Sequence, residues 1–175
     1  MKTRTVLLGV VLTFVLVAVG TLPAQQAVKV HPLAADQLTK LLPASVFLDG
    51  ENVPVQKRNA VGAHMEDGKI LLVMLLDTAG YSSQYSGKYV GMLMAQGNVT
   101  ISSSKVKPGV YGLGKKPAAA GKAGESFALY DLGGNAVADI PATKDDKLKP
   151  VAPIQLKAEA GAMRLYLGQS FVTIR

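Results

Sequence analysis

Serine, lysine and histidine are the residues with which hydrolytic chemistry would begin in this 175-residue chain. Ser102 and Lys105 have the Ser-x-x-Lys spacing, which on a helix brings an amine beside a hydroxyl and activates it as a nucleophile. Here the motif follows a β-branched apolar run and precedes Pro108-Gly109, a pattern that predicts a turn. We therefore assign no catalytic residue to it.

Metal and thiol chemistry are restricted because the chain has two histidines and no cysteine. His31 lies near the N-terminus and His64 ends a predicted strand, so the sequence predicts no close pair of imidazoles. The thioethers of Met92 and Met94 could serve copper together with His64. Their alternation is equally typical of a core-facing strand, and we predict no metal and no cofactor.

Three tyrosines recur at every fourth position among hydroxyl and amide side chains: Tyr81, Tyr85 and Tyr89. Flat rings with polar tips suit the binding of a sugar or a peptide by a loop. Alternatively, the rings close the end of a β core, as aromatic side chains at loop ends often do. The three tyrosines are candidate ligand-binding residues.

A second candidate surface feature is the interval 103–124, which contains several lysines and no acidic residue. Clustered on strand ends and a loop, these side chains would form a positive patch for anionic envelope polymers or lipid headgroups. Alternatively, they solvate strand edges and discourage aggregation between sheets. The candidate binding residues of this interval are Lys105, Lys107, Lys115, Lys116 and Lys122.

The elements that must position these residues are mostly short strands separated by turn residues. Predicted strands span 45–48, 53–63, 70–77, 89–95, 98–102, 110–114, 126–131, 136–140, 154–158, 163–167 and 171–174. The run 70–76 is apolar throughout, so both of its faces should be covered, and a short amphipathic helix at 33–42 is the expected cover. The last 14 residues alternate as a hairpin turning at Gly168-Gln169, and 115–124 and 141–150 are predicted loops. The pattern predicts an all-β fold, a mainly antiparallel sandwich or partly closed barrel.

The first 24 residues are predicted to be a secretory signal. Lys2 and Arg4 precede an uncharged apolar run, 6–22, and Pro23-Ala24 offers a cleavage site. An uncleaved membrane anchor is the alternative, because this run approaches the length that spans a bilayer. The predicted organisation is a signal peptide at 1–24, an N-terminal segment with the helix at 25–44 and a single β domain at 45–175.

Composition excludes several classes of protein. With 49% hydrophobic and 18% charged residues, the chain can bury enough apolar surface to fold, which excludes disordered and collagen-like classes. The formal net charge of +7 makes the protein basic, but less so than a dedicated nucleic-acid binder. Disulfides and lipid attachment through an N-terminal cysteine are excluded by the absence of cysteine.

The strand opening Pro108-Gly109-Val110-Tyr111 resembles that of exported bacterial β-sandwich proteins of unknown function. The segment 42–50 near the predicted mature start, the segment 77–83 and the closing Arg164-Leu-Tyr-Leu-Gly hairpin are similar to the same proteins. The resemblance implies a β-sandwich and export, and it implies no activity.

Together, these patterns predict an exported, non-catalytic structural or binding module of the periplasm, the cell envelope or the extracellular space. The predicted partner is an anionic envelope polymer or another envelope protein, with no nucleic acid, and with membrane contact only if the signal is retained. One alternative is a small-ligand carrier with an apolar cavity. Another is a hydrolase that uses the region Tyr81 to Tyr89.

Overall fold

The computed structural model describes residues 30–65, 67–117, 124–159 and 162–175. The predicted signal peptide at 1–24 lies outside the described residues. The strands are β1 (His31–Pro32), β2 (Ser45–Leu48), β3 (Glu51–His64), β4 (Ile70–Leu76), β5 (Gly91–Ala95), β6 (Val99–Ile101), β7 (Ser104–Val106), β8 (Gly109–Pro117), β9 (Glu125–Tyr130), β10 (Ala136–Lys144), β11 (Ile154–Glu159), β12 (Ala162–Leu167) and β13 (Ser170–Ile174). The helices are α1 (Ala35–Leu41) and α2 (Ser83–Lys88). None of the helices within these ranges is long and apolar enough to cross a membrane.

The strands pair antiparallel in a single sheet that curls into a nearly closed barrel. Its order is β1-β3-β4-β5-β8-β9-β10-β13-β12-β11, with β2 paired to β3 and the β6–β7 hairpin paired to β13. The long strand β10 joins the two halves, because it pairs with β9 along its length and with β13 at Thr143 and Lys144. At the far edge, β11 contacts β3 and nearly closes the barrel. The predicted all-β class is confirmed.

Two apolar layers cover the two faces of β4. Leu71 and Val73 point into the barrel, where they join the inner core, whereas Leu72 and Met74 point outward into a second core. The segments α1, β2 and α2 cover this outer core. The apolar run 70–76 is therefore buried on both faces, as its sequence predicts. Full burial of each such side chain contributes about 1.5–3 kcal/mol.

Helix α1 lies over strand β3 at Gly62. The helix predicted at 33–42 thus covers the sheet, as expected. A Cβ atom on Gly62 would stand 2.7 Å from the ends of the Leu33 and Leu72 side chains, so these side chains would have to shift to admit it. The predicted apolar face of the helix is only partly buried. Leu38 packs on the outer core, whereas Leu41 is 43% exposed because it lies beyond the edge of the sheet contact.

Several boundaries differ from the predicted ones. Helix α2 occupies a segment predicted as a loop, and the strands β1 and β7 were not predicted. Strand β10 continues to Lys144 inside the predicted loop 141–150, because its last residues pair with β13. The Ser102–Lys105 motif does form a turn: Ile101 pairs with Ser104 across a two-residue connection in which Ser102 has φ +53°.

Candidate functional site

The three sequence-predicted tyrosines lie together in a ladder of rings over the outer core. Ser82 caps the N-terminus of helix α2, and its hydroxyl accepts a hydrogen bond from the Tyr85 amide at 3.1 Å. The four-residue spacing then stacks the rings, with centroids 5.3 Å apart for Tyr81 and Tyr85 and 4.8 Å apart for Tyr85 and Tyr89. Tyr130 of β9 extends the ladder at 5.3 Å from Tyr89.

The tyrosine hydroxyls donate to groups within the protein. Tyr81 donates to the carbonyl oxygen of Asn52 at 2.7 Å, and Tyr85 donates to that of Leu48 at 3.0 Å. Tyr85 is 8% exposed and Tyr89 is 0% exposed. Burial, with a smaller contribution from Tyr89, raises the pKa of Tyr85 to about 12. Tyr85 and Tyr89 therefore contribute to packing, and Tyr81 keeps a half-buried ring. Ligand binding by these residues stays a prediction.

Asp49 ties this ladder to the turn that follows β2. Its carboxylate accepts hydrogen bonds from the ammonium of Lys88 and the hydroxyl of Tyr89, each at 2.9 Å. These two bonds, that to Lys88 most strongly, hold the pKa of Asp49 below its usual value. The Lys88 ammonium also stands 4.9 Å from the Tyr89 ring centroid and 5.1 Å from that of Tyr130. The Asp49 carboxylate, the Lys88 ammonium and the Tyr89 hydroxyl therefore each contact a partner within the fold. Such mutual pairing is typical of residues that stabilise a fold.

The structure does not bring the sequence-predicted lysines into one patch. Lys107 precedes β8 and Lys115 lies near its other end, and the part of β8 between them spans about 20 Å. Lys115 pairs with Glu125 at 2.9 Å on the inner side of the sheet rim. Lys116 faces outward, 5.2 Å from the Tyr130 ring centroid. Lys122 lies outside the described residues. The four lysines of 103–124 that the structure describes therefore do not all lie side by side, and ligand binding by the lysines of this interval stays a prediction.

Basic side chains gather instead on the outer face of β11, β12, β13, β6 and β7, which we call the basic face. Strand residues that alternate with inner-core positions point outward there. The register places Lys157 of β11 directly opposite Arg164 of β12. Further along, Arg175 and Thr100 exchange backbone hydrogen bonds, and Thr100 is opposite Lys105. The cations of the basic face are Lys105, Lys157 and Arg164 on strands, Arg175 directly after β13, and Lys147 and Lys149 on the adjoining loop.

A groove of about 270 Å³ lies at one side of the basic face, between the loop 145–150 and the β11–β12 hairpin. The Tyr166 hydroxyl donates to the Asp145 carboxylate at 3.0 Å, and the Gln155 amide donates to the Pro150 carbonyl at 3.1 Å. These bonds hold the loop against the sheet. Lys147, Lys149, Lys157 and Arg164 line the groove together with two acidic residues, Asp145 and Glu159, so cations outnumber acids by two.

Arg164 is the most firmly positioned cation of the groove. Its Nε donates to the Glu159 carboxylate, and its guanidinium lies 4.2 Å from the centroid of the Phe171 ring. The Tyr166 hydroxyl and the Glu159 charge raise the pKa of Arg164. The guanidinium is therefore charged at every physiological pH and packs against the Phe171 ring. Such fixed cations suit the binding of carboxylate or phosphate groups.

Sequence reasoning missed five of these six cations, and Lys105 alone had been selected. In the sequence, Lys147 and Lys149 follow two aspartates and Lys157 stands apart from them, so the three lysines do not form a charge run. The signal that could have found two of them is strand alternation. It places Arg164 on the outer face of the predicted terminal hairpin, and Lys157 occupies the same face of the preceding strand.

The histidines correct a second expectation. His31 and His64 are register partners in the β1–β3 ladder, so the prediction of no close pair of imidazoles was wrong. The pairing escaped notice because β1 has two residues and no alternating pattern. Within the described ranges, no group of three or more His, Cys, Asp or Glu residues is arranged to hold a metal ion. Of the copper ligands considered from the sequence, Met92 is buried in the outer core and Met94 packs against that core.

Two further observations concern the alternative functions, a small-ligand carrier with an apolar cavity and a hydrolase that uses the region Tyr81 to Tyr89. The interior of the barrel is filled by packed apolar side chains, Phe127, Leu129 and Met163 among them. His64 ends β3, whereas Tyr81 bonds to Asn52 near the start of the same 14-residue strand. The imidazole is therefore too distant to act as a general base for the tyrosine ladder.

Comparisons with known proteins give no relative from which a function could be transferred. No protein-family model matches the chain, and neither a curated protein nor a solved structure matches it. Function is therefore inferred from the residues and their arrangement.

Proposed function

We propose that the protein is an exported, non-catalytic binding module that holds an anionic polymer of the cell envelope on its basic face. The observation that carries this proposal is the placement of Lys157 directly opposite Arg164. Like charges at directly opposed strand positions destabilise a sheet. Glu159 pairs with Arg164 and offsets part of this repulsion. A bound anion that reaches both Lys157 and Arg164 would offset the rest.

The extent of the basic face supports a polymer rather than a small ion. Its strand cations reach from Lys157 on β11 to Lys105 on β7, across five adjacent strands. Four strand spacings amount to about 19 Å. A ligand with several negative charges along its length can contact the groove and Lys105 at the same time, which strengthens binding through multivalency.

The layering of the fold also favours this face. The segments α1, β2 and α2 cover the outer side of the sheet around β4, whereas charged side chains, Lys157 and Arg164 among them, occupy outward positions of β11 and β12. Export rests on the predicted signal at 1–24, and the envelope is where anionic polymers would meet an exported basic module.

Retention on immobilised polymers tests the proposal. We expect the untagged protein to be retained at low salt on at least one of peptidoglycan, lipopolysaccharide and polygalacturonate. Lys157→Gln and Lys105→Gln should each weaken retention. Lys57→Gln, which removes an exposed lysine from the other half of the sheet at β3, is the matched control and should not.

Stability measurements separate this role from a structural one. Since Lys157→Gln removes a like-charge contact, we expect it to leave the free energy of unfolding unchanged or to raise it by about 0.2–1 kcal/mol. Weaker retention without loss of stability supports a binding role. Equal retention of the wild type, Lys157→Gln and Lys57→Gln, or none at low salt, would contradict it and leave a protein partner as the alternative.

A further inference from the structure

The two histidines of the chain are paired on the outer side of the sheet, at the edge where β1 lies between β3 and β11. His31 and His64 are paired in the antiparallel β1–β3 ladder. Residues that face each other in this way have Cβ atoms about 4.5–5.5 Å apart and project their side chains on the same side. Because Ala63 points into the inner core, its neighbour His64 points outward, and His31 points outward with it.

Both imidazoles are accessible from solvent. His31 is exposed, and His64 is half-buried at the wall of a depression of about 250 Å³ beside α1. The other walls include Leu41, Ile70 and the polar side chains of Gln37 and Lys40. Lys40 is the charged group of this depression, and its ammonium opposes the binding of a cation.

We propose that His31 and His64 form a two-imidazole site for a divalent transition-metal ion, with Cu²⁺ preferred and water completing the coordination. Neutral imidazole is a ligand for copper, nickel and zinc, and affinity along the divalent series is greatest for copper. With metal–nitrogen bonds of about 2.0 Å, two opposed imidazoles can reach one ion. Two protein ligands make the site exchangeable rather than permanent.

The ion would join two separate parts of the chain. Strand β1 has two residues, and the amide of the following residue, Leu33, donates to the Gly62 carbonyl at 2.8 Å. An ion held by both imidazoles binds only the state in which β1 is docked on β3. By linkage, metal binding therefore stabilises this docking and raises the melting temperature.

The test is calorimetric titration of the untagged full chain with CuCl₂ and ZnCl₂, alongside His31→Ala and His64→Ala. We expect Cu²⁺ to bind one site per chain more tightly than Zn²⁺, and each variant to lose at least tenfold in affinity. Cu²⁺ should raise the melting temperature of the wild type but not of the variants. Lys40→Gln should tighten binding, whereas Lys57→Gln should not change it.

Melting curves in the presence of a chelator show whether each variant folds, and Cu²⁺ electron paramagnetic resonance counts the bound nitrogens. Two imidazole nitrogens in the wild type and fewer in each folded variant would support the site. Copper binding that survives in His64→Ala would show that His31 binds with other groups, such as a terminal amine, and would overturn the proposal. Equal affinity of the wild type and both variants would overturn it as well.

Discussion

The side chain of Asp49 connects separate segments of the fold. It adopts φ +51°, a left-handed conformation in which Asp and Asn are the most tolerated residues after glycine. A Cβ atom on Gly134 would stand 2.5 Å from the Asp49 carboxylate, so glycine permits this approach. From this position the carboxylate reaches Lys88 and Tyr89 and connects the β2–β3 turn to α2.

The first prediction concerns the pH dependence of stability. Because the folded state lowers the pKa of Asp49, its contribution to stability is complete above the unfolded pKa of about 3.9 and is lost as the pH falls through the lower folded pKa. Asp49→Asn keeps the backbone conformation but removes this contribution. We expect the variant to be less stable at pH 7 and its stability to fall less steeply below about pH 4.

Urea unfolding at a series of pH values from about 2 to about 7 measures this effect, because the series crosses the carboxylate pKa values of the folded and unfolded states. Asp139→Asn, which removes an exposed carboxylate from β10, is the control. Parallel stability curves for Asp49→Asn and the wild type would show that the bonds from Lys88 and Tyr89 contribute nothing.

At the scale of elements, glycines on β8 allow α2 and the tyrosine ladder to lie close to the sheet. A Cβ atom on Gly112 would stand 2.8 Å from the Tyr89 ring, and one on Gly114 would stand 2.4 Å from the backbone oxygen of Lys88. Backbone cannot yield as a flexible side chain can. The close packing of α2 on β8 therefore depends on the absence of a side chain at Gly114.

The second prediction compares two glycine substitutions in these contacting elements. Gly114→Ala should destabilise the protein by about 1–3 kcal/mol, since α2 must shift to admit the methyl group. Gly87→Ala, within α2, meets no atom within 4 Å and should stabilise the helix by about 0.5–1 kcal/mol. Denaturant midpoints measure both changes. If the two variants shifted the midpoint in the same direction, the described contact between α2 and β8 would be incorrect.

The whole molecule combines a nearly closed barrel with two unlike outer surfaces. Around β4 the outside of the sheet is covered by a second apolar core, whereas β11 and β12 present charged residues outward. The covered side supplies stability, and the uncovered side leaves its cations accessible. This division explains why the tyrosines selected from the sequence belong to the packed side, and why the basic face lies elsewhere.

The fold class was predictable from the sequence because alternation and turn residues are local signals. The terminal hairpin is an example: Met163, Leu165 and Leu167 all point into the inner core, as their alternation predicts. The basic face was not predictable, because it depends on pairings between β11, β12 and β13 and between β13 and β6. Arg175 and Lys105 lie seventy residues apart in the chain, and no periodic pattern connects them. The His31–His64 pair escaped prediction for the same reason.

The central claim, that the basic face binds anionic polymers, is tested most directly by the salt dependence of affinity for polygalacturonate. Exposed charges are screened over about 8–10 Å at physiological ionic strength, so affinity should fall steadily from about 20 mM salt upward. The double variant Lys157→Gln/Arg164→Gln should bind more weakly and with a shallower salt dependence, whereas Lys57→Gln should follow the wild type. Calorimetric titration at a series of salt concentrations gives both quantities. If the double variant and Lys57→Gln gave the same curve as the wild type, the basic face would not be the binding surface.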